Sequence, residues 1–293
     1  ILFRAWFYKT PDNIVIEHGN QYDPYCCYRY PMAPFGSNPR EIHPTMGSLA
    51  TRLLVSRMGY FNPHVDASYM LTGFGYLKHW ARYYLFSRRS LAMAWAVGAI
   101  RMVVELIRRR RPEQRALRRS NITAAARETG ESMKTIAKHA KLFARPSEDR
   151  LSLVIRELWL DRVGLLALSV LMGFVYLLFP GTYVAVGALV RPVAVVVYEL
   201  VIPKNPIESI WRRINRMARH IGRVHKARAV ILGHTHHAEA AWENGVFYGN
   251  SGSWSAAYRD LECTQPMYDE RPVLWLTSDD QGELSGGCLL YTS

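Results

Sequence analysis

The apolar and polar positions near the two ends of the chain predict a small sheet. Residues 14–16 and Ala229–Leu232 are short apolar runs of the length of a buried strand. Asn244 and Gly245 form a strong two-residue turn signal, so residues 238–242 and 246–249 are predicted to pair as antiparallel strands. Residues 272–278 predict one further strand.

Two segments next to these strands predict helices. In residues 207–226 the apolar side chains recur on one stripe with arginines opposite, which is the pattern of an amphipathic helix that packs against a sheet. Residues 1–9 are interpreted as the tail of an amphipathic helix that leads to the first strand. A helix before a strand and hairpins after it favour an α/β fold.

The long middle segment, residues 40–205, has the pattern of a membrane-associating helical insert. Residues 163–179 are an uninterrupted apolar run at the lower length limit for a bilayer span. After a break at Pro180, a second run at residues 183–202 contains Arg191, which would cost roughly 2.5–3.5 kcal/mol at the bilayer centre. The second run therefore fits a kinked span, a re-entrant segment or an interfacial helix, and together the runs predict an apolar hairpin near 162–202.

Two further parts of the insert, residues 69–86 and 91–107, mix apolar and charged positions in the manner of interfacial helices. Buried helices of a soluble insert are the alternative for all of these segments.

The charge of the chain narrows the choice of partners. The formal net charge is +13, which suits a nucleic acid or an anionic membrane surface. Many of the arginines lie beside the apolar segments rather than beside the histidine motifs, which favours lipid headgroups; a solvated helix face remains the alternative. Four cysteines without a regular spacing indicate no disulfide framework and fit a reducing compartment. The basic residues in question are Arg108, Arg109, Arg110, Arg111, Arg115, Arg118 and Arg119.

Two histidine motifs predict a metal site. His234 and His236 follow a short apolar strand and Gly233, and side chains two residues apart in an extended segment point to the same side. Imidazole binds zinc, iron, nickel or copper in its neutral form. His18, which also follows a short strand and precedes a glycine, is the third predicted ligand. Two close cations also need carboxylates, because neutral ligands do not offset their repulsion.

These motifs carry a resemblance to a known family. Three segments resemble the last two metal motifs of calcineurin-like metallophosphoesterases. They are His18-Gly19, Gly233-His234-Thr235-His236 and Asn250-Ser251-Gly252-Ser253. The likeness covers residues 1–30 and 206–285 and is nearest to bacterial members of the UDP-2,3-diacylglucosamine pyrophosphohydrolase type. It implies two divalent ions such as Mn, Fe or Zn, with His18 and His234 on one and His236 on the other. Asp23, His237 and Asn250 are the candidates for supporting or substrate-binding positions.

The resemblance also implies a fold and a domain organisation. The family fold is a sandwich of two sheets flanked by helices, and this chain is expected to hold its C-terminal part, as residues 1–39 and 206–287 around the insert at 40–205. The family motifs Asp-x-His, Gly-Asp and Gly-Asn-His-Asp/Glu do not occur in the sequence. We expect them, with the bridging carboxylate and the catalytic acid or base, upstream of Ile1, so that this fragment alone is inactive. Residues 288–293 resemble a translated sequencing adaptor.

The expected function is hydrolysis of a phosphoester or pyrophosphate, with a phosphate-containing small molecule or a lipid-linked phosphate as substrate. If His18 and His234 meet in one site, the insert between them crosses the membrane an even number of times. Basic residues flank both arms of the predicted hairpin, so we expect the metal site on the cytoplasmic side of the membrane. The resemblance implies that this membrane is a bacterial inner membrane. A nucleic-acid phosphodiesterase of the same superfamily and a non-catalytic membrane scaffold are the alternatives.

Overall fold

The structure is a computed structural model with a mixed α/β fold. It describes residues 6–29, 31, 42–54, 81, 91–108, 115–176, 207–254 and 270–292, with several positions between 178 and 201. The chain forms two compact units, one of Ile1–Pro146 with Ile207–Ser293 and one of Ser147–Pro206. The predicted boundaries of the insert remain a prediction.

A five-stranded mixed sheet organises the first unit, in the order β1-β2-β3-β5-β4. β2 and β3 are parallel, as are β3 and β5, whereas β1 and β4 pair antiparallel with β2 and β5 at the two edges. The carboxyl ends of β2, β3 and β5 therefore lie at one edge of the sheet. The strands are β1 Phe7–Lys9, β2 Ile14–Glu17, β3 Ala229–Leu232, β4 Ala238–Glu243 and β5 Val246–Ser251.

The hairpin prediction is confirmed. β4 and β5 pair antiparallel around Asn244 and Gly245, whose φ angles of 51° and 76° match the left-handed conformations that a tight hairpin turn requires. β6 Glu270–Ser278 and β7 Leu284–Thr292 form a second, two-stranded sheet, and β6 contains the strand predicted at 272–278. β7 includes residues 288–292; the adaptor origin of these residues stays a prediction.

The amphipathic helix predicted after the insert is also confirmed, as Ile207–His225. Its stripe is buried at Ile214 and Ile221, which belong to the same core cluster as Val15 and Val230 of the sheet. Apolar residues at a helical period thus cover one face of β2 and β3, and this packing fixes the two central strands side by side.

The helix predicted at residues 1–9 is wrong where the structure describes it, because Phe7–Lys9 forms strand β1. Phe7 is 4% exposed and Tyr8 is 43% exposed, so the side chains alternate between core and solvent with the period of a strand. Residues 1–5 lie outside the described residues. The short edge strand pairs with β2, and Lys9 at its end makes an ion pair with Glu131.

The helix Ile207–His225 is α7 in chain order. Four further helices of this unit, α1 to α4, precede it. They are α1 Met46–Leu53, α2 Leu91–Arg108, α3 Arg115–Thr129 and α4 Met133–Ala140. α2 agrees with the helix predicted at 91–107; Ala99, Met102 and Leu106 are buried, while Ile100 and Ile107 are exposed. Its position at a membrane interface stays a prediction, and most of the helix predicted at 69–86 lies outside the described residues.

The second unit contains helices α5 Leu151–Glu157 and α6 Leu160–Tyr176. Of the described helices, none by itself has the length and hydropathy of a membrane span; Leu151–Glu157 and Leu160–Val175 have them only as a pair, which is bent by 74°. α6 falls on the first predicted apolar run, and most of the second run lies outside the described residues. Several side chains of α6 are strongly exposed, among them Leu166 at 64% and Phe174 at 67%.

A buried chain of polar side chains connects the sheet to the helices. The Tyr22 hydroxyl donates a hydrogen bond of 2.6 Å to Glu17 Oε1 and lies 2.7 Å from His139 Nε2. Burial, and then the charge and hydrogen bond of Glu17, raise the pKa of Tyr22 well above its ordinary value. The phenol therefore stays protonated, and it ties the end of β2 to α4.

The same chain continues to the surface through α7. His225 Nε2 lies 2.9 Å from His139 Nδ1, and His225 Nδ1 lies 3.1 Å from Glu131 Oε1. Lys9 of β1 contacts the same Glu131 oxygen. Buried polar groups that are all paired in this way specify one arrangement of the elements around them.

Candidate metal centre

The predicted site residues lie at the carboxyl edge of the parallel strands. His18 follows β2, His234 follows β3 after a glycine, and Asn250 lies near the end of β5. Because these strands are parallel neighbours, their ends bring the three residues to one place. Ligand sites of open α/β sheets occupy this edge.

The two histidine-glycine motifs contact each other directly. The Gly233 amide donates a hydrogen bond of 3.1 Å to the His18 carbonyl. Gly19 has a φ of +91°, a conformation that favours glycine, and a Cβ added there would lie at the ordinary contact distance of 3.7 Å from Gly233 and 3.8 Å from His234. The rings of His18 and His234 meet edge to face with 5.1 Å between their centroids. The structure therefore brings the two separate motifs of the sequence into contact.

Asp23 lies between the halves and contacts His234. Its Oδ2 is 2.9 Å from His234 Nε2, and its Oδ1 accepts a hydrogen bond of 2.8 Å from the Tyr25 amide. Burial raises the pKa of the Asp23 carboxyl, but the hydrogen bonds from His234 and Tyr25, the charge of His234 and the hydrogen bond from Cys26 outweigh it, so the net pKa is lowered. Asp23 is thus an oriented carboxylate next to an imidazole.

Cys26 completes a cluster with these two residues. The Cys26 amide donates a hydrogen bond of 3.2 Å to the Asp23 carbonyl, so one tight turn brings Cys26 next to Asp23. Burial first, and then the Asp23 carboxylate and Cys27, raise the pKa of the Cys26 thiol. Gly47 lies against the thiol, since a Cβ added there would be 2.8 Å from Cys26 Sγ.

One ligand atom from each of Asp23, Cys26 and His234 lies within 4.8 Å of the other two. A carboxylate, a thiol and an imidazole are all metal ligands in proteins, so the donor set fits a divalent ion. Among the described residues, these three side chains form a cluster of potential metal ligands. The structure thus supports a possible site for one ion, and a second ion remains a prediction.

His18 and His236 are not among the three clustered residues, and their surroundings differ. His18 Nδ1 lies 3.1 Å from Asn20 Oδ1, and a proton on Nδ1 leaves Nε2 as the metal-binding atom. His236 is exposed, and both His234 and His236 have left-handed φ angles, of 69° and 59°. The segment is therefore not extended, so the alternation of side chains does not apply to it. Metal binding by His236 stays a prediction.

Asn250 holds the loop that carries His234. Its Nδ2 donates to the Gly233 carbonyl and to Thr235 Oγ1, each at 2.9 Å, and its Oδ1 accepts from the Gly252 amide at 3.1 Å. Asn250 is itself buried. It therefore supports the shape of the site without contacting the clustered ligand atoms in any of these bonds.

His237 is exposed, and its ring lies 5.6 Å from that of Trp211 on α7. Its backbone amide makes a long contact of 3.5 Å with Thr235 Oγ1. A role for His237 in substrate binding stays a prediction.

Sequence reasoning missed Cys26, which it treated as one of four uninformative cysteines. The spacing of Asp23 and Cys26, separated by Pro24 and Tyr25, is the signal that was present. Two potential ligands at that spacing fit one tight turn, as the hydrogen bonds of the turn show. Their approach to His234 depends on strand pairing, which no local pattern reveals.

Comparison of the chain with protein-family models, with curated proteins and with solved structures finds no match in any of the three. What the structure itself supports is a mixed α/β fold with a five-stranded sheet and a possible three-ligand metal cluster. The resemblance to metallophosphoesterases rests on the sequence motifs.

Proposed function

We propose that this protein is a metal-dependent hydrolase of phosphoesters or pyrophosphates, similar to the calcineurin-like metallophosphoesterases. The main support is the convergence of His18, Asp23 and His234 at the carboxyl edge of a parallel sheet, with Asp23 Oδ2 at 2.9 Å from His234 Nε2. A carboxylate beside imidazoles supplies the negative charge that a divalent ion needs and that histidines alone lack.

In this proposal each residue has a distinct part. Asp23 and His234 bind one ion, His18 lies beside them, and His236 serves a second ion. Divalent ions supply Lewis-acid polarisation of phosphoryl oxygens and a lowered pKa of bound water when they are present. The Tyr25 amide fixes the Asp23 carboxylate, and Asn250 fixes the turn at Gly233.

The substrate proposed is an anionic phosphate compound that is linked to a lipid. The net charge of +13 attracts anions, and the exposed apolar side chains of α6, such as Leu166 and Phe174, form a surface suited to lipid contact. We place the protein at a bacterial inner membrane with the metal loops on the cytoplasmic side. Resistance of the membrane-bound protein to carbonate washing tests this placement, and recovery in the soluble fraction would contradict it.

A nucleic-acid phosphodiesterase is the second candidate, and the net charge of +13 favours it. Binding to duplex DNA that weakens steeply as salt rises, together with cleavage of that DNA, would support this candidate. Hydrolysis of a lipid-linked pyrophosphate without DNA cleavage would support the first.

The test of the proposed function is hydrolysis of bis-p-nitrophenyl phosphate by the protein expressed from its intact gene, with Mn²⁺, Fe²⁺ or Zn²⁺ added. We expect metal-dependent turnover that chelation abolishes and that His234→Ala lowers by about 100-fold or more, because even residues supporting a metal ligand cost about 10- to 100-fold. His220→Ala is the matched control, since His220 on α7 contacts Arg223 rather than the site. Undiminished turnover in His234→Ala would refute the proposed role of that residue.

A further inference from the structure

We infer that Cys26 is a metal ligand and that the cluster of Asp23, Cys26 and His234 selects a thiophilic ion, with zinc the best fit, over Mg²⁺ or Mn²⁺. The inference rests on the proposed function in that it names the metal of the same site. The resemblance to metallophosphoesterases implies only histidines as metal ligands in these segments, so the assignment of Cys26 as a ligand rests on the structure alone.

Two backbone hydrogen bonds hold the turn that carries Cys26, and Gly47 lies beside its thiol. The turn from Asp23 returns Cys26 toward the carboxylate through a 3.2 Å hydrogen bond between the Asp23 carbonyl and the Cys26 amide. The Tyr25 carbonyl in the same turn accepts the Gly47 amide at 2.7 Å. Gly47 then leaves room for Cys26 Sγ where a Cβ would stand only 2.8 Å from it. The turn therefore places the Cys26 side chain next to Asp23, and the two side chains hydrogen-bond.

The spacing of the ligand atoms suits a tetrahedral ion. Zinc bonds of about 2.0–2.1 Å to nitrogen or oxygen and about 2.3 Å to sulfur place neighbouring ligand atoms roughly 3.3–3.6 Å apart. All three atoms lie within 4.8 Å of one another, and Asp23 Oδ2 and His234 Nε2 are at 2.9 Å. Shifts of about 1 Å or less in side chains therefore complete the geometry. The thiol proton passes to solvent as the metal–sulfur bond forms.

The donor set decides the kind of ion. Thiolate sulfur is a soft ligand that favours zinc and other late metals, whereas Mg²⁺ and Mn²⁺ prefer oxygen ligands and have lower affinity for such sites. Three protein ligands of mixed type leave a fourth position. Water or substrate there gives the arrangement of catalytic zinc sites, whereas His18 there would complete the closed set of a structural site.

The neighbouring residue Cys27 provides a matched control. Cys27 is buried, and its thiol lies 3.6 Å from the Ala144 carbonyl and 3.8 Å from the Pro24 carbonyl, outside the ligand cluster. Replacing either cysteine by serine removes one sulfur and nearly preserves volume. The two variants therefore differ in which sulfur is lost.

The experiment is titration of the whole protein with Co²⁺, a spectroscopic substitute for zinc, followed by near-ultraviolet absorption. We expect a thiolate-to-cobalt charge-transfer band in the wild type and in Cys27→Ser, its loss in Cys26→Ser, and Zn²⁺ affinity weaker by about 100-fold or more in Cys26→Ser, because the loss of a residue that only supports a ligand already costs about 10- to 100-fold. Bound Zn²⁺ is also expected to resist exchange with excess Mn²⁺. A wild type without the band, or a band that persists in Cys26→Ser, would overturn the inference.

A second measurement needs no variant. X-ray absorption of the zinc-loaded wild type is expected to show a sulfur neighbour of the metal, and nitrogen and oxygen neighbours alone would overturn the inference even if Cys26→Ser does not fold. The outcomes separate this inference from the proposed function. If Mn²⁺ supports hydrolysis and no sulfur binds the metal, the assignment of Cys26 as a ligand is wrong but the proposed hydrolase function stands. If sulfur binds the metal but no hydrolysis occurs, the ligand assignment stands and the proposed function is wrong.

Discussion

His139 Nδ1 and His225 Nε2 lie 2.9 Å apart, and this contact joins helix α4 to helix α7 through two buried imidazoles. Each ring also contacts an oxygen on its far side, the Tyr22 hydroxyl for His139 and Glu131 for His225. The pair thus continues a line of polar contacts from the end of β2, next to the metal cluster, to the surface at Glu131.

Replacing His139 by Phe removes both of its hydrogen bonds while nearly filling its volume. Tyr22 and His225 then each lose a buried partner, so we expect the free energy of unfolding to fall by about 1–3 kcal/mol. Urea unfolding followed by circular dichroism measures it. Lys138→Ala, at the exposed neighbouring position of α4, is the control and is expected to change stability by less than about 0.5 kcal/mol. Equal stability of the two variants would show that the contacts contribute nothing.

Acidification is expected to destabilise the fold through His225 and Glu131. Burial, and then the nearby His139, lower the pKa of His225 below its ordinary 6.5, while Glu131 raises it and Lys9 lowers it less strongly. Burial raises the pKa of Glu131, but hydrogen bonds from Lys9 and His225 outweigh that effect and lower it.

Both shifts act in the same direction, because the unfolded chain binds more protons than the folded chain when the folded pKa is lower. The stabilisation is present above the unfolded pKa of each group and is lost as pH falls through the folded pKa. We expect urea midpoints to decline from about pH 7 downward, with His225→Gln reducing the part of the decline nearest neutrality. A midpoint that is constant or rises on acidification would contradict this assignment.

Asn250→Ala is expected to weaken metal binding although Asn250 donates no atom to the cluster. Its loss leaves the Gly233 carbonyl and Thr235 without their 2.9 Å partners, so the loop that positions His234 loosens. We expect about 10- to 100-fold weaker Zn²⁺ affinity, measured by competition with a chelating dye. Asn215→Ala is the control, since the Asn215 side chain donates a hydrogen bond to Glu239 on an exposed surface away from the site. Unchanged affinity in Asn250→Ala would remove Asn250 from the site.

Gly19→Ala tests the left-handed backbone conformation that follows His18. The nearest atoms to an added Cβ are 3.7 Å away, which is ordinary contact, so the cost comes from the φ of +91° and is expected to be about 1–3 kcal/mol. Thermal unfolding with and without Zn²⁺ measures it. Gly164→Ala, at a helical position of α6 with open space, is expected to be neutral or slightly stabilising. A Gly19→Ala protein as stable as wild type would show that the loop tolerates a changed backbone.

The elements that the sequence predicts correctly have strong local signals. The hairpin at Asn244 and Gly245 follows from turn chemistry, and α7 follows from a helical stripe that ends in Ile221 and Val224. The three residues of β1 are too few to distinguish the period of a strand from that of a helix, and the strand character of β1 comes from its pairing with β2.

The residues of the candidate site also differ in whether a local sequence signal predicts them. His18 and His234 are predictable because each follows a short strand and adjoins a glycine, and the structure places their rings together. Cys26 is not, because its importance depends on a tertiary approach to His234. The geometry around His236 also escapes sequence reasoning, since a positive φ for a histidine is uncommon and no local residue demands it.

The parallel pairing of β2 with β3 makes the Asp23–His234 contact a long-range link. Asp23 and His234 are 211 residues apart in sequence, and closing a flexible loop of that length costs about 5 kcal/mol of chain entropy on a logarithmic scaling. The Asp23 and His234 side chains therefore meet only after the chain has brought its distant strands together, so an ion held by them would report completed folding. An ion bound there ties the ends of that loop and offsets part of the entropy cost each time the sheet forms.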